Sequence, residues 1–223
     1  MKKILIISCF LISLQFFAQD WANLQRYKAE NEQLLIQKVP KNRIVFMGNS
    51  ITEGWSNFQP TFFDNYTRIN RGISGQTTPQ MVLRFRQDVL QLQPKIVVIL
   101  AGTNDIAQNT GPITLDEIAG NIFTMCELAK QNHIQVIICS VLPALDYPWR
   151  TGLEPAQKII ELNKKLKKYA FENNIAYVDY FSAMVDDKNG LLAKYTYDGV
   201  HPNKEGYEVM ENLINKQLKK HIK

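Results

Sequence analysis

Cysteine and histidine are both scarce in this chain, three of each in 223 residues. Cys126 and Cys139 lie in apolar surroundings, one beside Met125 in a helical pattern and one beside Ile138 in a strand pattern. They read as buried, inert thiols and make no disulfide framework. His133, His201 and His221 show no H-E-x-x-H spacing and have no paired cysteines beside them. A metal centre is therefore not expected, and no motif asks for a cofactor. The chain also lacks internal repeats, low-complexity linkers and any shift of composition that would mark a second domain. Charge of one sign is in modest excess, 26 Lys and Arg against 21 Asp and Glu, a net +5. The run Lys164, Lys165, Lys167, Lys168 reads as a solvated helix face, because a nucleic-acid footprint would need a basic patch with interleaved aromatics.

No stretch is long and apolar enough for a comfortable membrane span. The most apolar segment is the first, M-K-K-I-L-I-I-S-C-F-L-I-S-L-Q-F-F-A-Q-D. Two lysines precede a bulky apolar run that ends at the small Ala18, which predicts a secretory signal peptide over residues 1–18. Export to the periplasm or the extracellular medium follows. Reading Cys9 as a lipid-attachment site is a minor alternative, since only Ile4 to Ile7 precede it as an apolar stretch. Cleavage after Ala18 removes Lys2 and Lys3, takes the charge to +3, and leaves one domain over residues 19–223.

That remainder alternates two periodicities. Short β-branched runs occur at Arg43 to Met47, Thr67 to Asn70, Lys95 to Ala101, Ile134 to Ser140 and Ile175 to Tyr180. Their near-continuous apolar character suits strands covered on both faces. Helical spacing occupies Trp21 to Gln37, Pro79 to Leu92, Leu115 to Gln131, Glu154 to Asn173 and Lys204 to Lys220. The expectation is an α/β three-layer sandwich, a mostly parallel sheet of about five strands with helices on both faces. Ligands of such sheets bind beyond the carboxyl ends of the strands, so the residues after each strand matter most.

Those residues are Gly48-Asn49-Ser50-Ile51-Thr52-Glu53-Gly54, Arg71-Gly72-Ile73-Ser74-Gly75 and Gly102-Thr103-Asn104-Asp105, with Tyr197-Asp198-Gly199-Val200-His201-Pro202 ahead of the last helix. Acyl transfer needs a nucleophile, a base, a group that orients the base, and donors for the developing oxyanion. Ser50 at a strand-to-helix turn suits the first role, His201 the second and Asp198 the third. The backbone N–H of Ser50, that of Gly72 and the amide of Asn104 form the expected oxyanion hole, with Gly75 a competing candidate in the same loop. A G-x-S-x-G elbow is absent, since Thr52 stands two residues after Ser50. After the fourth strand, Tyr147, Trp149 and Arg150 offer flat or hydrogen-bonding surfaces for a sugar or polar head group, and no long aliphatic run for an acyl tunnel.

The four blocks, in this order, resemble the SGNH (GDSL-like) hydrolases. The run I-S-G-Q-T-T-P-Q-M-V-L-R-F is most similar to the platelet-activating-factor acetylhydrolase-like branch and its bacterial relatives. The resemblance implies a flavodoxin-like hydrolase fold and a serine esterase without cofactor acting on small-molecule or glycan esters. Ser50, Gly72, Asn104 and His201 take the four hallmark positions, and Asp198 that of the triad acid. One departure is Asn49, where the family usually has aspartate before the serine; asparagine keeps an acceptor and removes a charge. The expected substrate carries a short acyl group, with a lysophospholipase or thioesterase, or a non-catalytic binding relative, as the alternatives.

Overall fold

The computed structural model describes residues 20–63 and 67–221. The expected signal peptide lies outside the described residues. Five parallel strands, β1 (Ile44–Gly48), β2 (Arg68–Gly72), β3 (Ile96–Leu100), β4 (Gln135–Cys139) and β5 (Ala176–Val178), form one sheet in the order β2-β1-β3-β4-β5. Every strand pairing is parallel, and β1 and β3 are buried along their whole length. Apolar runs without alternation fold this way because helices cover both faces.

Alternate residues of each strand feed two cores. Val45, Met47, Val97, Ile99, Val136 and Ile138 pack with α3 (Thr78–Asp88), α5 (Leu115–Gln131) and α6 (Pro155–Glu172). Ile44, Phe46, Val98, Leu100, Ile137 and Cys139 pack with α2 (Ser50–Phe58), α7 (Tyr180–Met184) and α8 (Lys204–His221). Both free thiols are buried, Cys126 in the first core and Cys139 in the second, and burial pushes each up to about 12. At that value neither is a nucleophile near neutral pH.

The helix expected over Trp21 to Gln37 is shorter, α1 (Lys28–Leu35). Residues ahead of it turn instead, and their carbonyls accept from side chains of the β2–α3 region: Trp21 O from Gln80 at 2.6 Å, Ala22 O from Gln76 at 2.7 Å and Leu24 O from Gln87 at 2.6 Å. Among the described residues, no helix is long and apolar enough to cross a membrane. In this strand order the chain leaves β1 toward one edge and β3 toward the other, which opens a crevice at the carboxyl ends of β1 and β3.

Candidate active site

The turn after β1 fits in very little space. A Cβ on Gly48 would stand 2.8 Å from the carbonyl oxygen of Leu100, so only glycine fits as the strand ends. Asn49 then caps α2, its Oδ1 accepting the N–H of Ile51 at 3.1 Å. Ser50 opens the helix, and its own N–H donates to no group among the described residues. The first N–H groups of a helix have no intrahelical acceptor, so this one is available to an anion.

The loop before α8 brings the other two partners to the same point. Gly199, at φ +87°, makes the turn, and Thr196 closes it by donating from Oγ1 to the His201 carbonyl at 2.7 Å. Asp198 Oδ2 lies 2.7 Å from His201 Nδ1, and His201 Nε2 lies 2.9 Å from Ser50 Oγ. With the carboxylate on Nδ1, the ring proton resides there and Nε2 is left to accept from the serine hydroxyl. Burial works to raise the Asp198 carboxyl, but the backbone and ring N–H groups of His201 and the N–H of Val200 outweigh it and hold the group below the usual carboxylate range. It therefore stays ionised and oriented. A hydroxyl, an imidazole and a carboxylate in this chain can move a proton off an attacking serine and return it to a leaving group.

The remaining expected oxyanion donors are arranged differently. Asn104 is buried at the start of α4 (Thr103–Ile106), and its Nδ2 donates to the Gln76 carbonyl at 3.0 Å, which uses one of its two hydrogens. Gly72 is corrected: its N–H is donated to Asn70 Oδ1 at 2.8 Å and is not available to a substrate. Its glycine character answers a packing need, since a Cβ there would stand 2.1 Å from the backbone nitrogen of Glu53. Gly75, the competing candidate, has the opposite properties. Its φ is +77°, the space around its Cα is open, and its N–H makes no hydrogen bond among the described residues.

Of the three residues expected to face substrate, Tyr147 is corrected to a core residue. It is fully buried, and its hydroxyl accepts from Thr103 Oγ1 at 3.1 Å. Trp149 is 44% exposed, and its ring centroid lies 5.7 Å from that of His201. Arg150 donates to the Gln108 carbonyl. Sequence reasoning missed Tyr197, which stacks on the His201 ring at 5.9 Å and on Phe58 at 6.3 Å. Its place beside Asp198 was the available signal. Ser50 and His201 open into a cleft of about 640 Å³ whose wall includes Glu53, Asn57, Asn70 and Tyr197. Glu53, one helical turn after Ser50, was likewise legible as a neighbour.

The chain is similar to known proteins in sequence and in fold. A candidate acylhydrolase from Bacteroides fragilis is 53% identical, with a TM-score of 0.89 over 92% of this chain and 100% of that one. A GDSL-like lipase from Bacteroides thetaiotaomicron is 50% identical, with a TM-score of 0.85 over 89% of this chain and 98% of that one. Among curated proteins, an uncharacterised Bacillus subtilis lipoprotein is 32% identical over 37% of this chain, and an acetylxylan esterase of Xylanibacter ruminicola is 23% identical over 79%. This chain spans 35% and 43% of the length of those two relatives. A platelet-activating factor acetylhydrolase IB subunit of Pongo abelii is 24% identical over 74% of this chain and 70% of its own. Residues 46–209, which hold all four blocks, match the GDSL-like lipase/acylhydrolase family, and the chain belongs to that family.

Proposed function

We propose that this protein hydrolyses carboxylic esters with a short acyl group, acetyl foremost, carried on a polar alcohol such as a sugar, through an acyl-enzyme on Ser50. The unbroken chain of contacts from Ser50 Oγ through His201 to Asp198, at 2.9 and 2.7 Å, carries the reading. Ser50 Oγ attacks the carbonyl carbon while His201 Nε2 takes its proton. The oxyanion is met by the N–H of Ser50, the N–H of Gly75 and the second amide hydrogen of Asn104. His201 then protonates the departing alcohol, and water repeats the sequence on the acyl-enzyme to release the acid.

The leaving alcohol receives its proton at His201, so it lies beside Trp149 and Tyr197. Two partly exposed rings of this kind suit the apolar face of a sugar. Acetyl appears in the names of two relatives, the acetylxylan esterase and the acetylhydrolase subunit, which supports the short acyl group. Residues 1–18 are read as a signal peptide and residues 19–223 as one exported domain, a reading supported by the lipoprotein relative.

Nitrophenyl esters of two, four and eight carbons, followed by acetylated xylo-oligosaccharides, test the substrate. The two-carbon ester is expected to have the highest kcat/KM. A constant that climbs toward eight carbons would replace this reading with a lysophospholipase or thioesterase, and no hydrolysis at all would leave a binding protein.

A further inference from the structure

Glu53 places a carboxylate in the same cleft as Ser50, three residues later on the same face of α2. A carboxylate near a developing oxyanion opposes it unless its charge is spent on donors. Here both oxygens are spent. Oε2 accepts from the Ser74 N–H at 2.9 Å and from the Ser74 hydroxyl, and Oε1 accepts from Arg26 Nη2 at 3.3 Å. The backbone of the same residue packs against Gly72, where a Cβ would stand 2.1 Å from the Glu53 nitrogen. On the far side, Asn109 Nδ2 donates to the Gly75 carbonyl at 3.2 Å. The peptide that carries the Gly75 N–H is thus held from both ends, and Glu53 is the grip that ties it to the helix bearing Ser50.

We propose that Glu53 is a positioning residue which, by holding Ser74, keeps the Gly75 N–H aimed at the oxyanion formed on Ser50. This rests on the reading of Gly75 as an oxyanion donor. Glu53 itself touches no reacting atom. Without it the turn is held only by its closing bond, Gln76 N–H to the Ile73 carbonyl at 3.3 Å, and by Asn109, so the Ser74–Gly75 peptide can tilt, and the donor weakens in the transition state more than in the bound ester.

The test compares the purified protein with Glu53→Ala and Glu53→Gln on nitrophenyl acetate, each counted by stoichiometric titration with a nitrophenyl phosphonate. Glu53→Ala is expected to lower kcat per titrated site by about tenfold to a hundredfold, with KM within about twofold. Glu53→Gln, whose amide oxygen still accepts from Ser74, is expected to recover most of that loss. A merely structural role would lower the titratable fraction and leave turnover per site unchanged. That outcome, or wild-type turnover in Glu53→Ala, overturns the proposal. Ser50→Ala run alongside separates the two claims: activity there would overturn the acyl-enzyme reading and the Glu53 proposal with it, whereas an inactive Ser50→Ala beside wild-type turnover in Glu53→Ala overturns the Glu53 proposal alone.

Discussion

Tyr147 and Asn49 show how much a single side chain is asked to do around this cleft. The Tyr147 ring is buried, and only its hydroxyl finds a polar partner, Thr103. Tyr147→Phe removes one buried hydrogen bond and should cost about 0.5–1.5 kcal/mol in urea denaturation, with no change in acyl preference. A shift in acyl preference would return Tyr147 to the substrate side. Asn49 stands where relatives of this family usually carry aspartate, and its oxygen satisfies the Ile51 N–H at the start of α2. Asn49→Ala should cost about 1 kcal/mol as a lost N-cap and lower turnover as well, because the helix start that fixes Ser50 frays. Unchanged stability would mean that the cap contributes nothing here.

At the scale of elements, the contact between α2 and the end of β2 decides what Gly72 tolerates, while Gly75 lies clear of it. Gly72→Ala puts a methyl group 2.1 Å from a backbone nitrogen, and backbone cannot swing aside as a side chain can. Overpacking of this kind costs about 1–3 kcal/mol, and the thermal midpoint should fall accordingly. Gly75→Ala meets open space and pays only for a left-handed backbone, about 1–2 kcal/mol, so it should fold and lose turnover through a tilted N–H. Equal turnover in wild type and Gly75→Ala would remove Gly75 from the oxyanion role. The choice between these glycines was not legible in sequence, since both follow the same strand and what separates them is the Asn70 side chain that occupies one N–H. The strands themselves were legible, because burial on both faces leaves an apolar run that nothing else in the chain imitates. The first helix was overread: Leu35 and Ile36 continue the apolar count but are exposed, and the residues before Lys28 give their carbonyls to three glutamines instead of a helix. Ser50, Asp198 and His201 were legible because each lies in a short block beyond the apolar segments.

For the whole molecule, two carboxylates set opposite trends with pH. Burial pushes Asp105 up to about 6, even though it accepts from the N–H and the hydroxyl of Thr78. The folded state then binds this proton more tightly than the unfolded chain does, so its contribution to stability is greatest below pH 4 and is lost as pH rises toward 6. Asp198 is held below the usual range, so its contribution is present above that range and is lost as pH falls through the lowered value. Between pH 4 and 6 the first trend governs. Melting curves should show the stability of wild type relative to Asp105→Asn shrinking as pH rises across that window, and a gap that widened instead would contradict the assignment. In the proposed chemistry the acyl group passes through the Ser50 oxygen. The turnover of Ser50→Ala on nitrophenyl acetate, at wild-type circular dichroism, tests it most directly. A fall of at least about a thousandfold is expected. Hydrolysis within a few fold of wild type would contradict it.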